Sequence, residues 1–134
     1  MDLVWFCTLF IFQFIGHRIG DYLIQSNKQA LLKATDATQR FDHCLSYSLA
    51  VSLPLLFIIE ARYVLVIFFL TFIEHMIVDS RKPVEWWKTF FEQKIKGDKN
   101  FNLNELPFFV LIEIDQTFHL LRIFIISIIF AHIL

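Results

Sequence analysis

Residues 3–24, LVWFCTLFIFQFIGHRIGDYLI, decide the fold class of this chain. The run is apolar over most of its length, and a helix needs roughly 20 such residues, with a range of about 17–25, to cross a bilayer. Its last third nevertheless carries His17, Arg18 and Asp21. Charged groups inside a membrane are costly and usually mark a functional site. The stretch therefore predicts a membrane-spanning helix with a polar site at its C-terminal end.

Three further apolar stretches follow, at about 43–59, 63–79 and 107–134. Each is long enough for a spanning helix, the first two narrowly. The whole chain is 57% hydrophobic, above the roughly 45–50% that is typical of soluble domains. We predict an all-α fold, a four-helix transmembrane bundle that forms a single integral membrane domain over residues 1–134.

A fifth helix is predicted in the linker before the last span, over residues 83–96, PVEWWKTFFEQKIK. Its apolar residues recur at helical spacing, and Lys and Glu lie largely on the other side. Such a helix lies in the membrane interface. The adjacent Trp86 and Trp87 favour this interfacial position over a soluble connecting helix, because tryptophan concentrates at headgroup level.

Basic residues are concentrated in two linkers, residues 25–41 and 80–106. The positive-inside rule places both linkers in the cytoplasm, and the hairpin at 60–62 and both termini on the other side. The N-terminus lacks the basic region and the small-residue cleavage site of a signal peptide, so the first segment is expected to be retained.

Composition argues against two other features. The net charge of −1 provides no basic field for nucleic acid. Cys7 and Cys44 are predicted near opposite membrane faces, which is too far apart for a disulfide.

Three of the predicted spans each carry one histidine and one aspartate four residues apart, which places the two on one helix face. The predicted topology brings all three pairs to the cytoplasmic end of the bundle, together with the histidine that opens the second span. The candidate metal ligands are His17, Asp21, His43, His75, Asp79, Asp115 and His119.

Imidazole and carboxylate ligands suit Zn, Mn or Fe, and zinc is favoured. Seven candidates exceed one tetrahedral shell, so they could hold two metals, or one metal with carboxylates that orient its histidines. The alternative is a set of buried ion pairs that fasten the helices together without any metal. The remaining histidine, His132, has no carboxylate partner and is interpreted as an interfacial residue.

Several polar residues flank this cluster. Gln25 and Gln116 could orient water or ligands, while Lys28, Arg81 and Lys82 could bind a phosphate or could simply follow the positive-inside rule. Gly16 and Gly20 form a small-residue face that lets a neighbouring helix approach closely. Glu74 and Glu113 point away from the pairs by helical angle and receive no role.

The motifs resemble those of an uncharacterised family of small bacterial and phage membrane proteins, known only as a domain of unknown function. The matching segments are HRIGDYLIQSNK (17–28), HCLSY (43–47), HMIVDSRK (75–82) and DQTFH (115–119). The resemblance covers nearly the whole chain and implies a bacterial inner-membrane protein. A weaker similarity to membrane-bound metal-dependent hydrolases, and through them to the zinc phospholipase C group, implies phosphoester hydrolysis by analogy.

The favoured function is a membrane-embedded metal-dependent hydrolase that acts on a phosphoester or lipid-linked substrate at the cytoplasmic face. Asp21, Asp79 or Asp115, whichever is not a ligand, would serve as general base. The alternative is a non-enzymatic metal or proton transporter or a pore-forming effector. The expected partners are the bilayer and a lipid or lipid-linked substrate, and assembly into a homo-oligomer is also compatible with the sequence.

Overall fold

Six α-helices form the fold of residues 1–134 in the computed structural model, and there are no strands. Short π-helical and 3₁₀ turns extend three of them or join them. The elements are α1 (Leu3–Arg18) with a π-turn (Ile19–Leu23), α2 (Asn27–Leu32), α3 (Ala37–Ser52) with a 3₁₀ turn (Leu53–Phe57), α4 (Ala61–Val78), α5 (Lys82–Phe90) with a π-turn (Phe91–Ile95), a 3₁₀ turn (Leu103–Glu105) and α6 (Phe108–Ile133). The all-α prediction is confirmed.

Three helices are long and apolar enough to cross a membrane: Leu3–Leu23, Ala61–Val78 and Phe108–Ile133. They correspond to the predicted first, third and fourth spans. The predicted second span, 43–59, starts inside α3 and does not form one long helix. Its α-helical part ends at Ser52, and a 3₁₀ turn that contains Pro54 follows, because proline has no amide hydrogen to continue the α-helical pattern.

Side-chain caps explain where α2 and α3 begin. Ser26 and Gln29 form a reciprocal capping box at the start of α2. The Asp36 side chain accepts from the Thr38 amide at 2.8 Å, which starts α3 six residues before His43 and places this histidine well inside a helix.

The end of α1 is wound more widely than an α-helix. The Ile24 amide donates to the Ile19 carbonyl at 3.0 Å, a bond across five residues. Single π-turns inside α-helices are frequent at functional sites. Asp21 is buried in the middle of this turn.

α1 approaches α3 at two glycines. A Cβ atom at Gly16 would lie 2.6 Å from the Ala50 carbonyl oxygen and from the Val51 Cα, and one at Gly20 would lie 2.6 Å from the Tyr47 ring. The predicted small-residue face is therefore confirmed: only glycine lets these backbones pack so closely.

Apolar side chains fill the end of the helix bundle opposite the His/Asp pairs. This apolar plug consists of Leu9, Leu55, Ile59, Val64, Ile67, Ile126 and Phe130, with Trp5, Phe12, Ile58 and Tyr63 packed around it. Leu55 and Ile59 belong to the segment between α3 and α4, and the other five lie on the halves of α1, α4 and α6 that are remote from their His/Asp pairs.

α5 and its π-turn coincide with the predicted amphipathic helix at 83–96. Val84 is buried, whereas Trp86 and Trp87 are exposed. An interfacial position of this helix stays a prediction.

Candidate metal centre

The structure brings histidines and aspartates from four helical segments into one buried cluster. The His43 Nε2 atom lies 3.0 Å from Asp21 Oδ1 and 3.0 Å from His75 Nε2. The His75 Nε2 atom also lies 3.3 Å from Asp79 Oδ2. We call the set Asp21, His43, His75, Asp79, Asp115 and His119 the His/Asp cluster.

α6 completes the cluster. The His119 Nε2 atom lies 3.4 Å from Asp79 Oδ1 and 3.7 Å from Asp115 Oδ2. Asp115 is the most accessible member, with 15% of its side chain exposed, whereas the other five are buried. Two separate sets of three residues each bring their ligand atoms within 4.8 Å of one another: Asp21, His43 and His75 form one set, and Asp79, Asp115 and His119 form the other.

Several polar atoms at the centre form no well-aligned hydrogen bond. Both carboxylate oxygens of Asp79 and the Nε2 atom of His119 are buried in this state, although nitrogen atoms of Lys33, His75 and His119 lie 3.0–3.4 Å from the carboxylate. Buried polar atoms are nearly always satisfied, so each exception needs a reason. Imidazole nitrogens and carboxylate oxygens that converge in this way could hold a metal ion.

Lys33 reaches this cluster from the end of α2. Its Nζ atom lies 3.0 Å from Asp79 Oδ2 and 3.7 Å from Asp21 Oδ1. Arg40 holds the backbone there by donating to the carbonyl oxygens of Lys33 and Ala34. Burial lowers the pKa of Lys33, but the Asp79 and Asp21 carboxylates outweigh it and hold the pKa above its usual value. Lys33 thus stays charged beside the cluster.

A second layer of polar residues lies between the His/Asp cluster and the apolar plug. Glu74 Oε1 lies 3.0 Å from His119 Nδ1, an arrangement in which the carboxylate orients the ring and leaves Nε2 facing the cluster. Arg122 donates to Glu74 and, at 2.7 Å, to the Tyr47 hydroxyl. Glu74 was assigned no role from its helical angle. The sequence offers only the angle of Glu74 around its own helix, and this angle does not reveal that α6 provides its partner.

His17 belongs to this second layer. Its Nδ1 atom shares a 2.9 Å hydrogen bond with the Tyr47 hydroxyl and lies 3.6 Å from Asp21 Oδ2. It belongs to none of the groups that could hold an ion, whereas Cys44 and Glu74, which were not predicted as ligands, each belong to one. The i, i+4 spacing correctly predicts that His17 lies beside Asp21, but it does not reveal that Tyr47 takes up the ring nitrogen.

The two predicted glutamines both contact the cluster. Gln116 Nε2 donates to Asp21 Oδ2 at 3.1 Å. The Gln25 amide lies beside His43, and in its satisfied orientation it accepts from Lys33 at 3.1 Å and donates to the Asp21 carbonyl at 3.0 Å.

A cleft of about 410 Å³ opens above the cluster. Asp21, Asp79, Asp115, Lys33 and Arg81 line its polar side. The other two predicted phosphate-binding residues lie elsewhere: Lys28 is exposed, and Lys82 lines a different groove beside Trp86. His132 is exposed near the end of α6, at the opposite end of that helix from Asp115, and it bonds the Ile128 carbonyl.

These features describe an all-α protein with three helices long and apolar enough to cross a membrane and a buried His/Asp cluster that could hold a metal ion. The chain belongs to the family described as protein of unknown function (DUF3307), whose model matches residues 9–133. Comparison with curated proteins finds no match, and comparison with solved structures finds none either. The expectation of an uncharacterised family is confirmed, while the weaker similarity to hydrolases stays a prediction.

Proposed function

We propose that this protein is a membrane-embedded metal-dependent hydrolase of phosphoesters, with its site at one face of a four-helix transmembrane bundle. One observation carries the proposal. Ligand atoms of His43, His75, His119, Asp21 and Asp79 converge in buried groups beneath a cleft that the two aspartates line. Ion pairing with Lys33 accounts for the Asp21 and Asp79 carboxylates, but not for the three imidazole rings that converge on them.

The ligands proposed are His43, His75 and Asp21 on one side of the cluster, and His119 and Asp79 on the other. Zinc is the favoured ion, with manganese or iron as alternatives. When bound, such an ion lowers the pKa of a coordinated water and polarises a phosphoryl oxygen.

Asp115 is the best candidate for the general base among the three aspartates. It lines the cleft and retains some exposure, whereas Asp21 and Asp79 are buried among the histidines. A base must reach the attacking water and also exchange its proton with solvent. Gln116, which bonds Asp21 and faces Asp115, is proposed to orient this carboxylate.

The cytoplasmic face is the proposed location of the cleft. The basic linkers 25–41 and 80–106 flank it, and the positive-inside rule assigns such linkers to the cytoplasm.

A transporter or pore is the second candidate, and the polar residues below the cluster are the observation in its favour. They extend the polar region from Tyr47 and Arg122 to Gln13, which bonds Ser127 at 3.1 Å. Beyond this point the apolar plug fills the bundle. A transport path needs polar groups through to the far face, so the plug favours a one-sided site.

Elemental analysis of the detergent-purified chain tests the proposal. We expect near-stoichiometric Zn, Mn or Fe in the wild type and in His132→Ala, and loss of the metal in His75→Ala. Metal-dependent cleavage of a phosphoester should follow the same pattern. Absence of metal from all three proteins after reconstitution, or equal turnover by His75→Ala, would contradict it. Metal or proton flux across liposomes by the wild type would instead support the second candidate.

A further inference from the structure

The cleft above the His/Asp cluster has two chemically different walls. Asp21, Asp79, Asp115, Lys33 and Arg81 form the polar wall. Ala30, Leu31, Phe108, Leu111 and Ile112 belong to the apolar wall. A pocket for a small water-soluble phosphoester would not need an apolar wall that is open to the outside.

The apolar wall is exposed at its rim. Leu31 is 79% exposed and Phe108 is 54% exposed. The rim lies beside the end of the first span, Leu3–Leu23, and the start of the last, Phe108–Ile133. The cleft therefore opens where two spanning helices would meet the membrane interface, and its apolar side is positioned to face hydrocarbon.

Arg81 provides an unused cation on the polar wall. Lys33 is paired with Asp79, but Arg81 has no carboxylate partner and lies over the Phe108 ring, with its Cζ atom 4.6 Å from the ring centroid. Its backbone is in the left-handed region, with φ of 62°, which is uncommon for a residue other than glycine and is strained. Arg81 thus holds an unpaired guanidinium at the cleft. The planar guanidinium can donate two parallel hydrogen bonds to the oxygens of an anion such as phosphate.

We propose that the substrate of this site is a lipid with an anionic phosphate headgroup, which enters the cleft sideways from the membrane. The headgroup binds Arg81 beside the His/Asp cluster, and the hydrocarbon chain leaves between α2 and the start of α6, along Leu31 and Phe108. This inference rests on the proposed function, because it names the substrate class of that same site.

Lipid binding by the full chain in detergent micelles, with added zinc, tests the inference. Phosphatidic acid is the probe, phosphatidylcholine with the same acyl chains is the neutral-headgroup comparison, and glycerol 3-phosphate is the soluble phosphate competitor. Native mass spectrometry reports how much lipid each protein retains. We expect phosphatidic acid to be retained well above phosphatidylcholine, and glycerol 3-phosphate not to displace it at equal concentration.

Two pairs of variants examine the two walls separately. Arg81→Gln removes the cation, and we expect about tenfold weaker phosphatidic acid binding, the loss typical of one hydrogen bond to a charged group; Lys82→Gln is its control from the neighbouring groove. Ala30→Trp fills the cleft and should also weaken binding at least tenfold. Ala37→Trp makes the same change at an exposed position on α3 and should have no effect.

Equal retention of the two lipids would overturn the inference, as would equal competition by glycerol 3-phosphate or unchanged binding in Ala30→Trp. The readout is independent of metal content and turnover. Lipid selectivity without any bound metal would therefore overturn the proposed function alone, and a metal-loaded, active protein without lipid selectivity would overturn this inference alone.

Discussion

Replacing Lys33 by methionine should make the protein bind divalent metal more tightly. The Lys33 ammonium lies 3.0 Å from Asp79 Oδ2 and 3.3 Å from His43 Nε2, so it stands among the atoms proposed as metal ligands. A metal ion and this ammonium compete for the same carboxylates. Lys33→Met removes the charge and keeps a side chain of similar length.

The expected increase in metal affinity can be estimated from the interaction with the carboxylates that the Lys33 ammonium loses when metal binds. Two unit charges 4 Å apart interact by about 4 kcal/mol at an effective dielectric constant of about 20. The lysine stem is flexible and the cleft is open beside it, so the ammonium can move away when metal arrives. The cost is then one hydrogen bond between charged groups, about 1.5–3 kcal/mol. This corresponds to an increase in metal affinity of about tenfold to a hundredfold.

Competition against a chromophoric chelator measures this affinity in detergent, with Lys28→Met as the matched control because Lys28 is exposed. Thermal unfolding provides a second readout, in which the substitution lowers the stability of the metal-free protein although it raises the metal affinity. With chelator present, Lys33→Met should be less stable than the wild type, since it leaves the buried Asp21 and Asp79 without their cation. Saturating metal should remove that difference.

Unchanged or weaker metal binding by Lys33→Met, with Lys28→Met equal to the wild type, would refute the reasoning. It would mean that Lys33 does not compete with the ion, and that the role of the Asp21 and Asp79 carboxylates is to form ion pairs with Lys33.

Three further predictions concern the layers around the cluster. Glu74→Gln should weaken metal binding by about 10- to 100-fold, because the carboxylate that orients His119 is lost; chelator competition measures it, and the exposed Glu113→Gln should match the wild type. Gly16→Ala should destabilise the protein by about 1–3 kcal/mol, because its Cβ would meet α3 backbone at 2.6 Å. Thermal unfolding tests this, and Gly97→Asn should be tolerated, since nothing lies within 4 Å of that position and asparagine accepts a positive φ. Arg81→Gly should relieve the left-handed backbone and raise stability while reducing turnover of the phosphoester; equal turnover would show that Arg81 has no part in the site.

The helix-borne members of the cluster could be predicted from spacing alone. His75 and Asp79, or Asp115 and His119, share a face because an α-helix turns by a constant angle per residue. Counting Lys and Arg in the linkers then placed both pairs at one end of the bundle, where the structure finds them 3.3–3.7 Å apart within each pair.

Contacts that depend on how helices are rotated against one another could not be predicted. The helical angle between Glu74 and His75 predicts that Glu74 points away from the pairs, yet in the structure Glu74, His75 and His119 bring ligand atoms within 4.8 Å of one another, and α6 places His119 against Glu74. Lys33 lies in a linker, and only the return of α2 over the bundle carries it to Asp79. Neither contact has a periodic signal in the sequence.

The π-turn at Ile19–Leu23 separates two demands on the first helix. Membrane insertion depends on the length of the apolar run, and a run one residue shorter would still lie within the range of about 17–25 residues that crosses a bilayer. The direction of the Asp21 carboxylate depends instead on the winding of the backbone, where one residue of an ordinary α-helix corresponds to about 100° of rotation. Deletion of Ile19, which precedes Asp21 in this turn, would therefore leave a chain that enters the membrane normally while its carboxylate faces away from His43.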